Sequence, residues 1–185
     1  MSKAAVIYWS GTGNTEAMAN AVVEGAKAKG AEVSLFTADE FDASMLDALD
    51  AVAFGCPAMG AEVLEEDEFE PMFASCEGKL GGKRIALFGS YGWGDGEWMR
   101  SWEERCTGDG AVFACDSVIC NEAPDDDALA SCRALGESIA ESRGFPDTSE
   151  VRAFKTARQN NVFGYRKAAD GKFRRRLLPA SICYF

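Results

Sequence analysis

Ala4-Ala5-Val6-Ile7-Tyr8-Trp9-Ser10-Gly11-Thr12-Gly13-Asn14-Thr15-Glu16 sets the architecture of this chain. Ala4–Trp9 is a continuous apolar run, the pattern of a strand covered on both faces. From Asn14 to Lys29 the apolar and small residues Ala17, Met18, Ala21, Val22, Gly25 and Ala26 recur at helical spacing, and Gly30 is a fitting C-terminal stop. Between strand and helix lie two glycines (Gly11, Gly13), three hydroxyls (Ser10, Thr12, Thr15) and the amide of Asn14. Backbone N–H groups, hydroxyls and the positive end of a helix dipole together make a cradle for a phosphate. A Walker-type loop needs Lys-Ser/Thr after its second glycine, but Asn14-Thr15 stands there. A dinucleotide fingerprint needs a third glycine at position 16, which is Glu16. Neutral donors alone suit a phosphate monoester better than a triphosphate with magnesium.

Working outward, the pattern repeats. Strands are expected at Val33–Thr37, Ala51–Cys56, Arg84–Ser90 and Ala111–Cys120. A short helical turn is expected around Ser44–Leu49, and a partly helical acidic segment at Glu62–Ser75, with Pro71 marking a break or a start. Helices follow at Glu97–Cys106, with Trp98, Met99 and Trp102 as an apolar stripe, and at Asp125–Arg143, with three acids at its N-terminus. Five strand–helix alternations predict an α/β fold: a three-layer, doubly wound, five-stranded parallel sheet of order 2-1-3-4-5 with helices on both faces. Ligands in such sheets bind outside the carboxyl ends of the strands, at the switch point between strands one and three. The loops after strands one, three and four are the unusual ones here.

The charge is unevenly spread. The chain is −11 overall, but its first 143 residues hold 10 Lys/Arg against 27 Asp/Glu, and its last 42 hold nine against three. An acidic body repels nucleic acid and anionic membrane and favours partners with basic docking faces. Seven widely spaced cysteines and no histidine leave little for a metal or iron–sulfur site, and no Cys-x-x-Cys pair occurs. Cys56, Cys115 and Cys120 are expected to be buried structural thiols. The apolar run after Met1-Ser2-Lys3 is too short for a secretion signal or a membrane span, so a reducing cytoplasm is the expected location.

Three loops carry a family resemblance. Tyr8-Trp9-Ser10-Gly11-Thr12-Gly13-Asn14-Thr15-Glu16, then Gly55-Cys56-Pro57-Ala58-Met59-Gly60, then Leu87-Phe88-Gly89-Ser90-Tyr91-Gly92-Trp93-Gly94-Asp95-Gly96, and finally Asn121-Glu122-Ala123-Pro124-Asp125 resemble the short-chain flavodoxins of anaerobic bacteria. The resemblance covers residues 1–143. It implies a flavodoxin-like fold and a low-potential one-electron carrier that shuttles bound flavin mononucleotide (FMN) between semiquinone and hydroquinone. It further implies that Ser10, Gly11, Thr12, Gly13, Asn14 and Thr15 hold the phosphate, with Ser90 assisting. Ala58, Met59, Gly60, Ala61 and Glu62 on one side, and Tyr91, Gly92, Trp93 and Gly94 on the other, would flank the flavin ring.

Residue chemistry supports the assignment independently. Trp93, in a glycine-rich loop, suits a flat partner, and Met59 a polarisable one. Trp9 is expected beneath the phosphate loop as packing, and Trp98 and Trp102 in the core. The resemblance implies a peptide that reorients beside the flavin, and Gly60 is placed for it because glycine can reach φ > 0. Ala61 stands where family members often carry a polar residue. The partners implied are ferredoxin-type oxidoreductases and flavodoxin reductases, with no nucleic acid for the body, no membrane and a monomeric state. Two other readings are an FMN-dependent NAD(P)H or quinone oxidoreductase on the same fold, and an FMN-free binding module. Residues 144–185 match no part of that family. They read as a basic tail, disordered or artefactual, or else as a basic arm that folds back on the acidic body or contacts a partner or nucleic acid, with a turn at Asp170-Gly171 and a charge run at Arg174-Arg175-Arg176.

Overall fold

Alternation along the central strands divides the core in two. In the computed structural model, Ala5 and Ile7 of strand β1 (Lys3–Tyr8) face one side, and Ala4, Val6 and Tyr8 face the other. The same two-residue period runs through β3 (Ala51–Gly55) and β4 (Arg84–Tyr91), all of whose central residues are buried. The structure describes residues 1–141 and, beyond them, only the backbone of 165–167 and 173–175. The sheet is parallel, in the order β2-β1-β3-β4-β5, where β2 is Glu32–Thr37 and β5 is Val112–Phe113. This is the expected flavodoxin-like order.

Helices α1 (Asn14–Ala28) and α4 (Asp126–Ala140) pack together on one face, sharing a cluster with Val6, Ala53 and Phe88. Their approach is close enough to demand glycine. A Cβ on Gly25 would lie 2.0 Å from the Arg133 carbonyl oxygen, and one on Gly136 would lie 2.0 Å from that of Val22. Helices α2 (Phe69–Glu77) and α3 (Glu97–Gly108) cover the other face. There Phe69, Phe73 and Trp102 meet edge-to-face or stacked, with ring centroids 5.4–6.3 Å apart. Trp98 and Trp102 are core residues, as the stripe predicts.

Three sequence expectations change. The fifth strand is not continuous over Ala111–Cys120. It breaks after Phe113 and resumes as β6 (Val118–Asn121), and both pieces pair with β4. Phe113 pairs with Ile85 and Val118 with Phe88, so this strand carries two more residues than its partner between those rungs. Cys56 is buried as expected, but Cys115 and Cys120, on this irregular edge, are only half-buried. Helix α4 stops at Ala140, short of Arg143, and Arg84 donates to the Ser138 carbonyl at 2.8 Å and also to that of Glu141, satisfying carbonyls at the helix end.

Pro71 lies in the first turn of α2, where no intrahelical N–H is lost. By contacts the chain divides into Met1–Ser142 and Arg143–Phe185. In the second unit, Tyr165–Lys167 and Phe173–Arg175 form an antiparallel pair. The expected turn at Asp170-Gly171, Arg176 and the rest of the tail lie outside the described residues.

Candidate functional site

Strands β1, β3 and β4 end side by side, so the loops after them share one rim of the sheet. The first loop is Ser10–Gly13, running into α1. Gly13 is the residue before the helix, at φ +89°, and its N–H donates to Ser10 Oγ at 3.0 Å. The N–H groups of Gly11, Thr12, Asn14, Thr15 and Glu16 meet no acceptor among the described residues. Five donors therefore stand free at the positive end of a 15-residue helix. Behind them Thr15 and Ser90 are 1% and 5% exposed, with their hydroxyls 3.4 Å apart. No Lys or Arg lies in Ser10–Thr15. Free N–H donors at a helix start, with no cation among them, fit a phosphate monoester.

The second loop, after β3, folds into a closed turn. Met59 N–H donates to the Val63 carbonyl at 2.8 Å, and Val63 N–H returns the bond at 2.9 Å. Inside that turn Gly60 has φ +47° and Glu62 φ +54°, both left-handed. Glu62 is expected at the ring. Its Oε1 accepts from the N–H groups of Gly96 and Glu97 at 3.0 and 2.9 Å, at the start of α3. This ties the second loop to the third. A Cβ on Gly94 would lie 2.4 Å from the Glu62 carboxyl carbon, so the tie needs glycine there.

The third loop begins at Tyr91, whose ring packs on Trp98 at 5.5 Å, and whose carbonyl accepts from Glu122 N–H at 2.7 Å and Asn121 Nδ2 at 3.1 Å. Trp93 is 62% exposed and Met59 37% exposed. Cys56 closes β3, and burial pushes its thiol far above the ordinary range, so it stays protonated. Cys106 and Cys132 are pushed up to about 12, again chiefly by burial. No cysteine near the loops is an activated nucleophile, and no group of acids, Cys or His suited to a metal occurs among the described residues.

The flavodoxin family profile matches residues 6–136, spanning all three loops. The chain belongs to the flavodoxin family. It is 44% identical over 137 residues to a flavodoxin of Megasphaera elsdenii, covering 74% of this chain and 98% of that one. It is 45% identical over 135 residues to a flavodoxin of Clostridium beijerinckii, covering 73% and 97%. Among solved structures, two-electron-reduced Megasphaera elsdenii flavodoxin superposes with a TM-score of 0.69 over 74% of this chain and 98% of that one, at 44% identity. FMN binding and electron carriage, which the motifs imply, are the attributes of the flavodoxin family.

Sequence reasoning missed the acids under the loops. Glu65 is 6% exposed and gathers the N–H groups of Asp67, Glu68 and Phe69 at 2.8–2.9 Å, capping α2. Glu is not a favoured cap residue, so no pattern announced it. Burial pushes the Glu65 carboxyl up, but the bonds from Phe69, Glu68 and Asp67 together outweigh it and hold it below its ordinary value. Glu122 lies in a stretch the resemblance marks, but its left-handed backbone, φ +56°, had no sign in the sequence.

Proposed function

We propose that this chain holds FMN through Ser10–Thr15 and Ser90 on the phosphate, and through Ala58–Glu62 and Tyr91–Gly94 beside the ring, and passes single electrons between redox proteins. The observation that carries this reading is the set of five unpartnered N–H groups at the start of α1, next to two buried hydroxyls. Bound FMN supplies the one-electron redox chemistry. The chain's own residues bind, orient and tune. Hydroxyls of Ser10, Thr12 and Thr15 add to the backbone donors without introducing a positive charge. Trp93 and Met59 keep water from the ring. Gly60 lets a peptide of the turn point its carbonyl toward the ring or away from it, because neither orientation meets a Cβ penalty.

The excess of 27 acids over 10 basic residues in the first 143 makes negative charge on the ring costly, which lowers the potential of the second electron. The same charge selects partners with basic faces, such as ferredoxin-type oxidoreductases and flavodoxin reductases. The reading places the protein in the cytoplasm, as a monomer. No helix among the described residues is long and apolar enough to cross a membrane.

The test is kinetic. The isolated, FMN-loaded protein oxidises NADPH negligibly in steady state and is reduced quickly once a flavodoxin reductase is added. Turnover with NADPH alone refutes the carrier reading in favour of an oxidoreductase.

A further inference from the structure

With no cation in the cradle, phosphate affinity rests on where the loop backbone sits, and that backbone has a floor. A Cβ on Gly11 would lie 2.9 Å from Trp9 Cη2 and 3.2 Å from Cζ3, so the loop rests directly on the six-membered ring of the indole. The Trp9 main chain is fixed by its N–H bond to the Gly55 carbonyl at 3.0 Å. Its side chain is only half-buried, so packing alone leaves the tilt of the ring under-determined. The remaining constraint is at the far edge. Trp9 Nε1 donates to Glu68 Oε2 at 3.0 Å, across 59 positions of sequence.

Glu68 is itself held. It stands immediately before α2, and its N–H donates to Glu65 Oε2 at 2.9 Å. Glu65 N–H in turn donates to Cys56 Sγ at 3.3 Å, at the end of β3. The floor is thus pinned to the other face of the sheet, independently of α1. Among the other indoles, Trp98 Nε1 binds a carbonyl and Trp102 Nε1 has no partner, so the Trp9–Glu68 contact is not a general habit of the fold.

We infer that Glu68 is a positioning residue for the FMN phosphate, acting through the Trp9 indole that supports Gly11. The inference rests on Ser10–Thr15 being the phosphate cradle. The Glu68 carboxylate opposes a dianion by its charge, and its contribution comes from the acceptor oxygen that fixes the ring. Acceptor and charge separate in substitution: Glu68→Gln keeps an oxygen and drops the charge, whereas Glu68→Leu drops both.

The experiment titrates full-length apoprotein with FMN and with riboflavin and compares the two Kd values. Glu68→Leu and Trp9→Phe each weaken FMN about tenfold, because the bond preorganises the loop before the ligand arrives and its loss leaves the binding geometry populated only about a tenth of the time, and leave riboflavin unchanged. The double variant is no weaker than Trp9→Phe alone, because Glu68 acts only through the indole. Glu68→Gln retains the wild-type FMN preference or increases it. In 1H–15N spectra of the apoprotein, Glu68→Leu shifts the Trp9 indole N–H and speeds its exchange. An unchanged FMN-to-riboflavin ratio in Glu68→Leu, equal losses for both ligands, or additive losses in the double variant each overturn the proposal. Thr15→Ala separates the two levels of failure. If it leaves the ratio unchanged, the cradle reading and this inference fall together; if it collapses the ratio while Glu68→Leu does not, this inference alone falls.

Discussion

Glu65→Ala removes one carboxylate from three backbone donors, and the structure says which loss matters. Phe69 is fully buried, so its N–H, now 2.8 Å from Glu65 Oε2, has no water to turn to. Leaving it unsatisfied costs about 1–3 kcal/mol. Asp67 and Glu68 are exposed, and their N–H groups recover solvent at a cost of a few tenths each. The total is about 2–3 kcal/mol, or about 5–10 °C in the Tm of a domain this size. Glu65→Gln keeps an acceptor and loses about half as much.

The pH dependence has a definite sign. The folded carboxyl lies below its unfolded value, so its contribution is present in full above an unfolded pKa of about 4.3 and disappears as pH falls through the lower folded value. Urea unfolding of the apoprotein from pH 7 to pH 3 measures it. The stability gap between wild type and Glu65→Gln is constant at neutral pH and closes below about pH 4.3. A gap that stays constant throughout, or widens in acid, refutes the assignment of an ionised, hydrogen-bonded Glu65.

The remaining predictions concern the loops. Thr12→Ala combined with Thr15→Ala weakens FMN about 100-fold and riboflavin little, because two hydroxyl bonds to a charged phosphate are lost; fluorescence titration reads both. Gly60→Ala costs the apoprotein about 1–2 kcal/mol, since a Cβ there meets only Val63 Cγ2 at 3.9 Å and the penalty is the left-handed backbone alone. In the loaded protein, anaerobic titration shows less half-reduced flavin accumulating. Trp93→Ala changes apoprotein stability by less than about 0.5 kcal/mol, because the side chain is 62% exposed, yet raises the lower flavin potential in spectroelectrochemistry.

The sheet order was legible because each central strand is a nearly pure apolar run, and Asn14–Lys29 and Glu97–Cys106 between strands carry helical spacing. Loop identity was legible because glycine and hydroxyl patterns are local. What escaped was what lies between segments far apart in sequence. Glu62 reads as a loop acid, and only the fold shows it 34 residues away on the start of α3. Glu65 and Glu68 sit in a run of four acids and look like solvated charge, although one is 6% exposed and the other reaches an indole. The interruption of the fifth strand was hidden for another reason. Asp116, a residue type depleted in strands, was the local signal, but a lone acid also suits an exposed strand edge.

That interruption tells where this fold can grow. The surplus between Phe113 and Val118 is two residues, an even number, so the pleat resumes in phase: Phe113 packs toward α2 and α3, and Val118 toward α1 and α4. Beyond it, Val118–Asn121 runs in unbroken register with Phe88–Tyr91, the segment that delivers the third loop. Peptide inserted at Ala114–Ser117 hangs from a sheet margin and is absorbed before the chain reaches the rim. An appendage added at this margin leaves the register of the rim segment Phe88–Tyr91 with Val118–Asn121 intact.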